Sequence, residues 1–424
     1  MENNKKYEER EVMVSHQSDL LTQDLILTCI FKYCKFIDYG LSFNFPLIKY
    51  EHGSGDISYL NWQVEELKSL ELSEKQFDEL IAFLEKELTI YKEFLNIFEN
   101  EIKSNKDKQK KIINYFEKSW RGVSTIPYFA FEMSLIKKLE AEGISPKEIP
   151  SSLTDTSLAS IELEEIAKKH IKELQKQQPI TEELQKELKK FCDRFGYLGM
   201  IYFKGNPWTI PDAFRMLFTT ENKTEIRIEN NKTISKHTQI ASDLLRLRTQ
   251  KWELMCRGTS LFRKFVKEHF SDEIIYEDLL NLRINEVLNI VEGKYNKEHI
   301  GQGREYFVLE IKENGVFLST EKKETVVATN KTNVKEIRGT TAQPGKVIGK
   351  AKIVLSHKDG YKIEHGDILV TKMSTPDFLP AMKKASAFVT DIGGITSHAA
   401  IVSREMKSFK RNEKALYNWD KGCN

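Results

Sequence analysis

The chain has 424 residues, 40% hydrophobic and 30% charged, which excludes a disordered polymer and leaves enough apolar mass for two or three domains with buried cores. Its 65 basic and 63 acidic residues leave a formal charge of +2, so no global field points to nucleic acid or an anionic membrane, and partners must be argued from sites. Cys29, Cys34, Cys192, Cys256 and Cys423 are odd in number and form none of the close pairs that zinc or redox motifs need, which fits a reducing cytoplasm. The opening "MENNKKYEEREVMVSHQSDL" has no apolar signal-like core, and no run of eighteen apolar residues occurs. The expectation is a cytoplasmic protein that is neither secreted nor membrane-spanning.

From about residue 57 to 300 the hydrophobic period is helical. "SEKQFDELIAFLEKELTIYKEFLNIFENEI" places Phe77, Leu80, Ile81, Leu84, Leu88, Tyr91, Leu95 and Phe98 on one stripe, and Ser73 and Gln76 have the spacing of a capping box. Further helix starts are marked by Ser145-Pro146 with Glu148 and by Thr181 after Pro179, and Gly196 is a stop for the helix through "ELQKELKKFCDRF". Residues 1–300 therefore read as a mainly helical domain. Beyond Gly301, "REYFVLEIKENGVFLST" sets two apolar runs around Asn314-Gly315, a strong short-range hairpin signal. The polar "ETVVATNKTNVKEIRG" reads as linker, which makes 301–334 hairpin and linker and puts the domain boundary near 331.

The remainder, 335–424, reads as a compact α/β unit. "IRGTTAQPGKVIGKAKIVLS" intersperses Gly339, Gly345 and Gly349 with β-branched residues, as short strands joined by turns require. "GDILVTK" and "ASAFVTD" are short apolar runs suited to buried strands, and "TPDFLPAMKKA" between them starts as a helix with Thr375 as cap and Pro376 at its first position. After "SAFVTD" come Gly393-Gly394 and then "TSHAAIVSREMK", a helix with Thr396 or Ser397 as its cap. His398 is thereby expected at a strand-to-helix junction. Glycines let the backbone approach a phosphate, and the free N–H groups and dipole of a helix's first turn favour its charge. A neutral imidazole there has a lone pair free to attack phosphorus and can carry the group covalently. Ala399 and Ala400 leave the ring uncovered, Thr396 and Ser397 can donate to phosphoryl oxygens, and Arg404 serves either the phosphate or Glu405.

These residues resemble a known family. "GGITSHAAIVSR" is similar to the phosphohistidine signature of the mobile, swivelling domain of phosphoenolpyruvate-utilising enzymes such as phosphoenolpyruvate synthase, pyruvate phosphate dikinase and rifampicin phosphotransferase, and every position from Gly393 through Arg404 is suitably filled. "GTTAQPGKVIGKAKIV" resembles that domain's opening, and "GDILVTKMSTPDFLPAMKKASAFVTD" its strand, Thr-Pro helix and strand before the histidine. The resemblance covers about the last ninety residues. It implies His398 as the phosphoryl carrier, with Gly393, Gly394, Thr396, Ser397 and Arg404 around the phosphate. The implied donor is ATP or phosphoenolpyruvate with Mg2+, bound by a partner domain, since no Gly-rich phosphate loop appears in residues 1–330. "FGYLGMIYFKGNPWTIPDAF" and "LLRLRTQKWELMCR" resemble the helical segment before the mobile domain in the rifampicin phosphotransferase type, which implies one half of a split enzyme with a separate ATP-grasp protein. The fold class expected is multi-domain α plus α/β: a large helical region, then a β/β/α swivelling domain incomplete at its C-terminus.

Other features carry two readings. Phe195, Tyr197, Tyr202, Phe203 and Trp208 line an acceptor pocket or, as such clusters more often do, form core. "KSNKDKQKKIINYFEKSWR" lies on a helical period with acidic neighbours, so a solvated face is expected rather than a nucleic-acid site. The histidines, His357 and His365 among them, have no partner at metal-ligand spacing, so no metal is expected. A non-catalytic helical scaffold with a vestigial mobile domain is the alternative for the whole chain. The tail "SFKRNEKALYNWDKGCN" departs from the family. Back-translated and read one nucleotide later, residues 408–424 become Val-Ser-Arg-Glu-Met-Lys-Lys-Pro-Cys-Ile-Ile-Gly-Thr-Lys-Asp-Ala-Thr, which repeats Val402–Lys407 and then continues as the family does. A short tandem duplication that shifts the frame, in the gene or its assembly, explains this, and an unpaired apolar sheet edge is expected to result.

Overall fold

The computed structural model describes residues 10–16, 19–33, 47–51, 54–60, 69–104, 106–120, 128–144, 149, 153–171, 174, 181–201, 203–217, 235–270, 275–294, 306–312, 315–320, 341–343, 346–354, 357–371, 374, 378–390, 399, 402–403 and 415–418. The chain divides into two compact units. One comprises Met1–Glu9, Gln17–Gly55 and Tyr59–Thr320, and the other Arg10–His16, Asp56–Ser58 and Glu321–Asn424.

The first unit is built on two long helices, α2 (Glu74–Glu101) and α8 (Lys236–His269). Ser73 and Gln76 form the capping box at the start of α2, with the Ser73 N–H donating to Gln76 Oε1 at 3.0 Å. The stripe read from sequence is the buried face: Phe77, Leu80, Leu84, Leu88, Tyr91, Leu95 and Phe98 are all buried, and Ile81 is partly so. Phe77 through Leu88 pack against Ile240, Ala241, Leu244 and Leu247 of α8, each such side chain contributing roughly 1.5–3 kcal/mol of burial. The two helices come so close at Gly258 that a Cβ there would lie 2.2 Å from Tyr91 Oη.

Around this pair lie α3 (Lys108–Lys118), α4 (Tyr128–Ala141), α5 (Asp155–Lys169), α6 (Glu182–Phe195), α7 (Ile210–Leu217) and two short helices, α9 (Tyr276–Leu279) and α10 (Ile284–Val291). Thr181 caps α6, accepting from the Leu184 N–H at 3.3 Å, and the Gly196 N–H closes its last turn on Cys192 O. The start expected at Ser145 lies outside the described residues; the helix beyond it begins at Asp155, capped by Thr154. In the basic run, Lys111 is buried and donates from Nζ to the carbonyls of Glu101 and Ser104 at 2.9 and 2.8 Å, while Lys108 sits 4.5 Å from the Phe270 ring centroid. These lysines close the end of α2 and its neighbourhood.

Strands were expected only after Gly301, yet β1 (Arg10–His16), β2 (Leu47–Glu51) and β3 (Ser54–Leu60) precede the long helices. β2 pairs antiparallel with β6 (Tyr306–Lys312), from Leu47 opposite Glu310 to Glu51 opposite Tyr306. A ladder closed across such a sequence separation leaves little local signal. A further short pair, β4 (Met200–Ile201) and β5 (Lys204–Gly205), also lies within the helical region. The expected hairpin joins β6 to β7 (Gly315–Ser319) with Lys312 opposite Gly315, whose φ of +132° suits glycine; Asn314 lies outside the described residues. α1 (Leu20–Tyr33) is tied in by the buried Asp24 carboxylate, which accepts from Arg283 Nη2 at 2.9 Å and the Ile284 N–H at 2.8 Å. Arg283 also donates to Val316 O at 2.7 Å. Burial pushes the Asp24 carboxyl upward against the pull of that guanidinium.

In the second unit a five-stranded sheet runs β8-β12-β11-β10-β9, with β8 Thr341–Gln343, β9 Ala351–Ile353, β10 Ile368–Thr371, β11 Ala387–Thr390 and β12 Ala415–Asn418. Strands β9 to β12 are parallel, and β8 is antiparallel to β12. The helix between β10 and β11 is α11, Leu379–Lys384, with Pro380 in its first turn; the expected cap at Thr375 lies outside the described residues. Val354, Ile363, Leu369, Phe378, Ala381, Met382, Ala385, Phe388, Ala399 and Val402 form one core. An unpaired apolar sheet edge was expected where the tail departs from the family, but among the described residues a strand from that tail takes a paired place in the sheet. β12, drawn from the tail that departs from the family, pairs with β11 from Ala387↔Ala415 to Thr390↔Asn418 and with β8 on its other side. Backbone groups at an open edge pair with whatever extended chain reaches them, and here Ala415–Asn418 does so.

Candidate functional site

The parallel ladder gives the second unit a C-terminal edge, the place where parallel sheets receive ligands. β10 reads Ile-Leu-Val-Thr and β11 reads Ala-Phe-Val-Thr, and their register aligns Leu369 with Phe388 and Thr371 with Thr390. Side chains two apart share a face, so the face that buries Leu369 and Phe388 in the core carries Thr371 and Thr390 at its end, 3% and 1% exposed. Asn418 ends β12 in register with Thr390. Ser374, just beyond β10, is also buried.

The chain leaves β11 at Thr390, and by Ala399 it is back in the core. Ala399 and Val402, one helical step of three apart, are both buried in the cluster that holds Phe388, and Ser403 beside them has no exposure. His398 thus lies in sequence between two core anchors, Phe388 before it and Ala399 after it. Gly393, Gly394, Thr396, Ser397, His398 and Arg404 themselves lie outside the described residues. What the structure adds is the frame: a parallel strand before the signature and a helical, core-packed Ala399 and Val402 in its second half, the setting in which a glycine-rich connection and helix start can receive an anion. The buried hydroxyls of Thr371, Ser374, Thr390 and Ser403 were not singled out from sequence. Their signal was the threonine closing each strand, where valine would serve packing alone.

The N-terminal side of the same sheet is fixed by ion pairs. Lys352 Nζ lies 2.8 Å from Asp367 Oδ2 and 3.0 Å from Glu364 Oε2, and the Glu364 N–H donates to Asp367 Oδ2 at 2.7 Å. The hydrogen bond from Lys352 holds the Asp367 carboxyl below the usual range.

Of the aromatic candidates of the helical unit, Phe195 and Phe203 are core. Phe195 and Phe203 are 1% and 0% exposed; Phe203 stacks on Trp120 with centroids 5.6 Å apart, and Trp208 stacks on Phe191 at 6.1 Å. Tyr197 donates to Asp155, and Tyr202 lies outside the described residues. The perturbed acid nearby, Glu253, is buried and accepts from the Thr156 N–H at 2.7 Å and its hydroxyl at 2.8 Å. Burial pushes its carboxyl upward. It receives the otherwise unpaired first-turn donors of α5, which is a structural duty. Cys256 is a buried thiol donating to Met200 O at 3.1 Å, and burial raises its pKa; Cys192 is pushed up to about 11 by the same cause. Neither is a poised nucleophile. Among the described residues no group of three or more His, Cys, Asp and Glu is placed to hold a metal ion, and no helix is long and apolar enough to cross a membrane.

Comparison with known proteins singles out this second unit. Residues 363–408 match the family described as PEP-utilising enzyme, mobile domain. The chain is 59% identical over 70 residues to the probable phosphoenolpyruvate synthase of Archaeoglobus fulgidus, a stretch that is 16% of this chain and 9% of that protein. It is 54% identical over 71 residues to the phosphoenolpyruvate synthase of Aeropyrum pernix (16% and 9%), and 38% identical over 110 residues to that of Aquifex aeolicus (24% and 13%). The matched part thus spans 9 to 13% of these relatives' lengths. Residues 363–408 are a mobile-domain segment of the phosphoenolpyruvate-utilising type, and the signature lies inside it.

Proposed function

We propose that the chain is a phosphoryl carrier in which His398 is transiently phosphorylated. The observation that carries this reading is the mobile-domain match over 363–408 with "GGITSHAAIVSR" inside it. In the step itself a lone pair of the neutral imidazole forms an N–P bond, the P–O bond to the donor breaks with its electrons leaving on the donor oxygen, and the ring N–H on the other nitrogen is retained or released to solvent. A second transfer reverses the roles, with an acceptor oxygen displacing the imidazole. Main-chain N–H groups of the Gly393-Gly394 segment and the hydroxyls of Thr396 and Ser397 would bind the phosphoryl oxygens, with Arg404 as the nearby cation. Mg2+ would accompany an ATP or phosphoenolpyruvate donor, but no described cluster of this chain fits it, and no step here is assigned to it.

In this reading the donor is bound by a separate ATP-grasp protein and the acceptor is a small molecule, so the chain is the carrier half of a split phosphotransferase in the cytoplasm. Incubation with radiolabelled phosphoenolpyruvate, or with labelled ATP and a candidate ATP-grasp protein from the same genome, is expected to give acid-labile, base-stable label that His398→Ala abolishes. Label retained by the alanine variant overturns the assignment. The family match ends at Ser408, the residue from which the shifted reading repeats Val402–Lys407. This favours a frameshift just after Lys407, beyond an intact signature, and with it the second reading, a scaffold with an inactivated mobile domain. Resequencing codons 400–424 decides: one copy of the repeat means an assembly error, two copies a genuine shift.

A further inference from the structure

Among the described residues the sheet of the second unit ends at β9, and the surface there is unusual in composition. The three most exposed large apolar side chains among the described residues all fall between positions 348 and 361: Ile348 at 92%, Ile353 at 72% and Tyr361 at 73%. Ile353 is on the edge strand itself. The Lys350 carbonyl accepts from the Ile368 N–H at 2.9 Å and the Val354 N–H donates to Val370 O at 2.8 Å. In a parallel ladder alternate residues face the partner strand, so the N–H and C=O of Ala351 and Ile353 turn to the open side.

Charge is one-sided here as well. Residues 346–367 hold five lysines and three carboxylates. All three carboxylates already face lysines, Asp367 and Glu364 through Lys352 and Asp359 through Lys362 at 2.8 Å; of the other three lysines, Lys346 and Lys350 are exposed and flank the edge, with Lys350 also within electrostatic reach of Asp367.

We propose that β9 is a docking edge for an extended, acidic segment of a partner protein, which adds as a further strand, bonds the outward N–H and C=O groups of Ala351 and Ile353, and covers Ile353. Backbone pairing would supply affinity, and the lysines would select acid side chains. A second copy of this chain is the poorer occupant, because edge against edge would set lysine opposite lysine; lysines at a sheet edge guard against such self-pairing.

The test uses the full chain and two fluorescein-labelled synthetic peptides, one alternating glutamate with valine and the other lysine with valine, followed by fluorescence anisotropy and amide hydrogen exchange. The acidic peptide is expected to bind, to slow exchange at 351–353, and to weaken as salt rises. Ile353→Glu is expected to lower its affinity about tenfold or more, and Ile353→Val to keep it. Equal binding of both peptides, no binding of the acidic one, or slowed exchange away from β9 each overturns the proposal. So does a dimer in the sedimentation profile that Ile353→Glu dissociates, which would make a second copy the occupant.

Discussion

Glu253 shows how a single residue can imitate a functional site. A buried carboxyl with a raised pKa marks catalytic acids, but its oxygen is taken up by the first turn of α5, through the Thr156 N–H and hydroxyl. Because burial raises its folded pKa above the unfolded value, the folded state holds the proton more tightly. Its contribution to stability is therefore full below the ordinary glutamate value and declines as pH rises through the raised one. Glu253→Gln keeps an acceptor for Thr156 and removes the titration. It is expected to flatten this part of the pH–stability curve and to be at least as stable as the parent at neutral pH, by thermal melting across about pH 4 to 8; an unchanged slope contradicts it. His398 is the opposite case. The role proposed for it was read from glycines, hydroxyls and small residues that are all consecutive, whereas Glu253 acts on Thr156 across the fold.

The elements divide by how local their determinants are. α2 was readable from end to end, since its cap and its stripe are written within the helix, and so was the β6–β7 hairpin. The near contact of α2 and α8 was not, because Gly258 gains its meaning only from Tyr91. Gly258→Ala is expected to cost about 1–3 kcal/mol through overpacking, and Tyr91→Phe in the same chain to recover part of it; additive losses would show that the two positions do not meet. β12 was misjudged for a related reason. Ala415–Asn418 has a weak strand signal, and pairing on both sides decides its state. Leu416→Pro removes a donor from that ladder and is expected to lower the second unit's melting temperature and to speed amide exchange at 387–390. Unaltered protection there would mean that β12 does not hold the edge.

At the scale of the molecule, the second unit accounts for the family match and the first unit for most of the described helices. The strands β10 and β11 and the helix between them were legible because each is a short apolar run set off by turn residues, whereas the burial of Ala399, read from sequence only as a small residue beside the histidine, was not. The strands before α2 were not, because β2 is completed only by β6. The central claim rests on one imidazole, that of His398, which lies outside the described residues. The most direct measurement is tandem mass spectrometry, under alkaline conditions that preserve phosphohistidine, of the full chain after brief exposure to phosphoenolpyruvate or to ATP with its ATP-grasp partner. A single phosphoryl group on His398, absent from His398→Ala, is the predicted result; a phosphoryl group on any other residue, or an unmodified His398 with both donors, would contradict it.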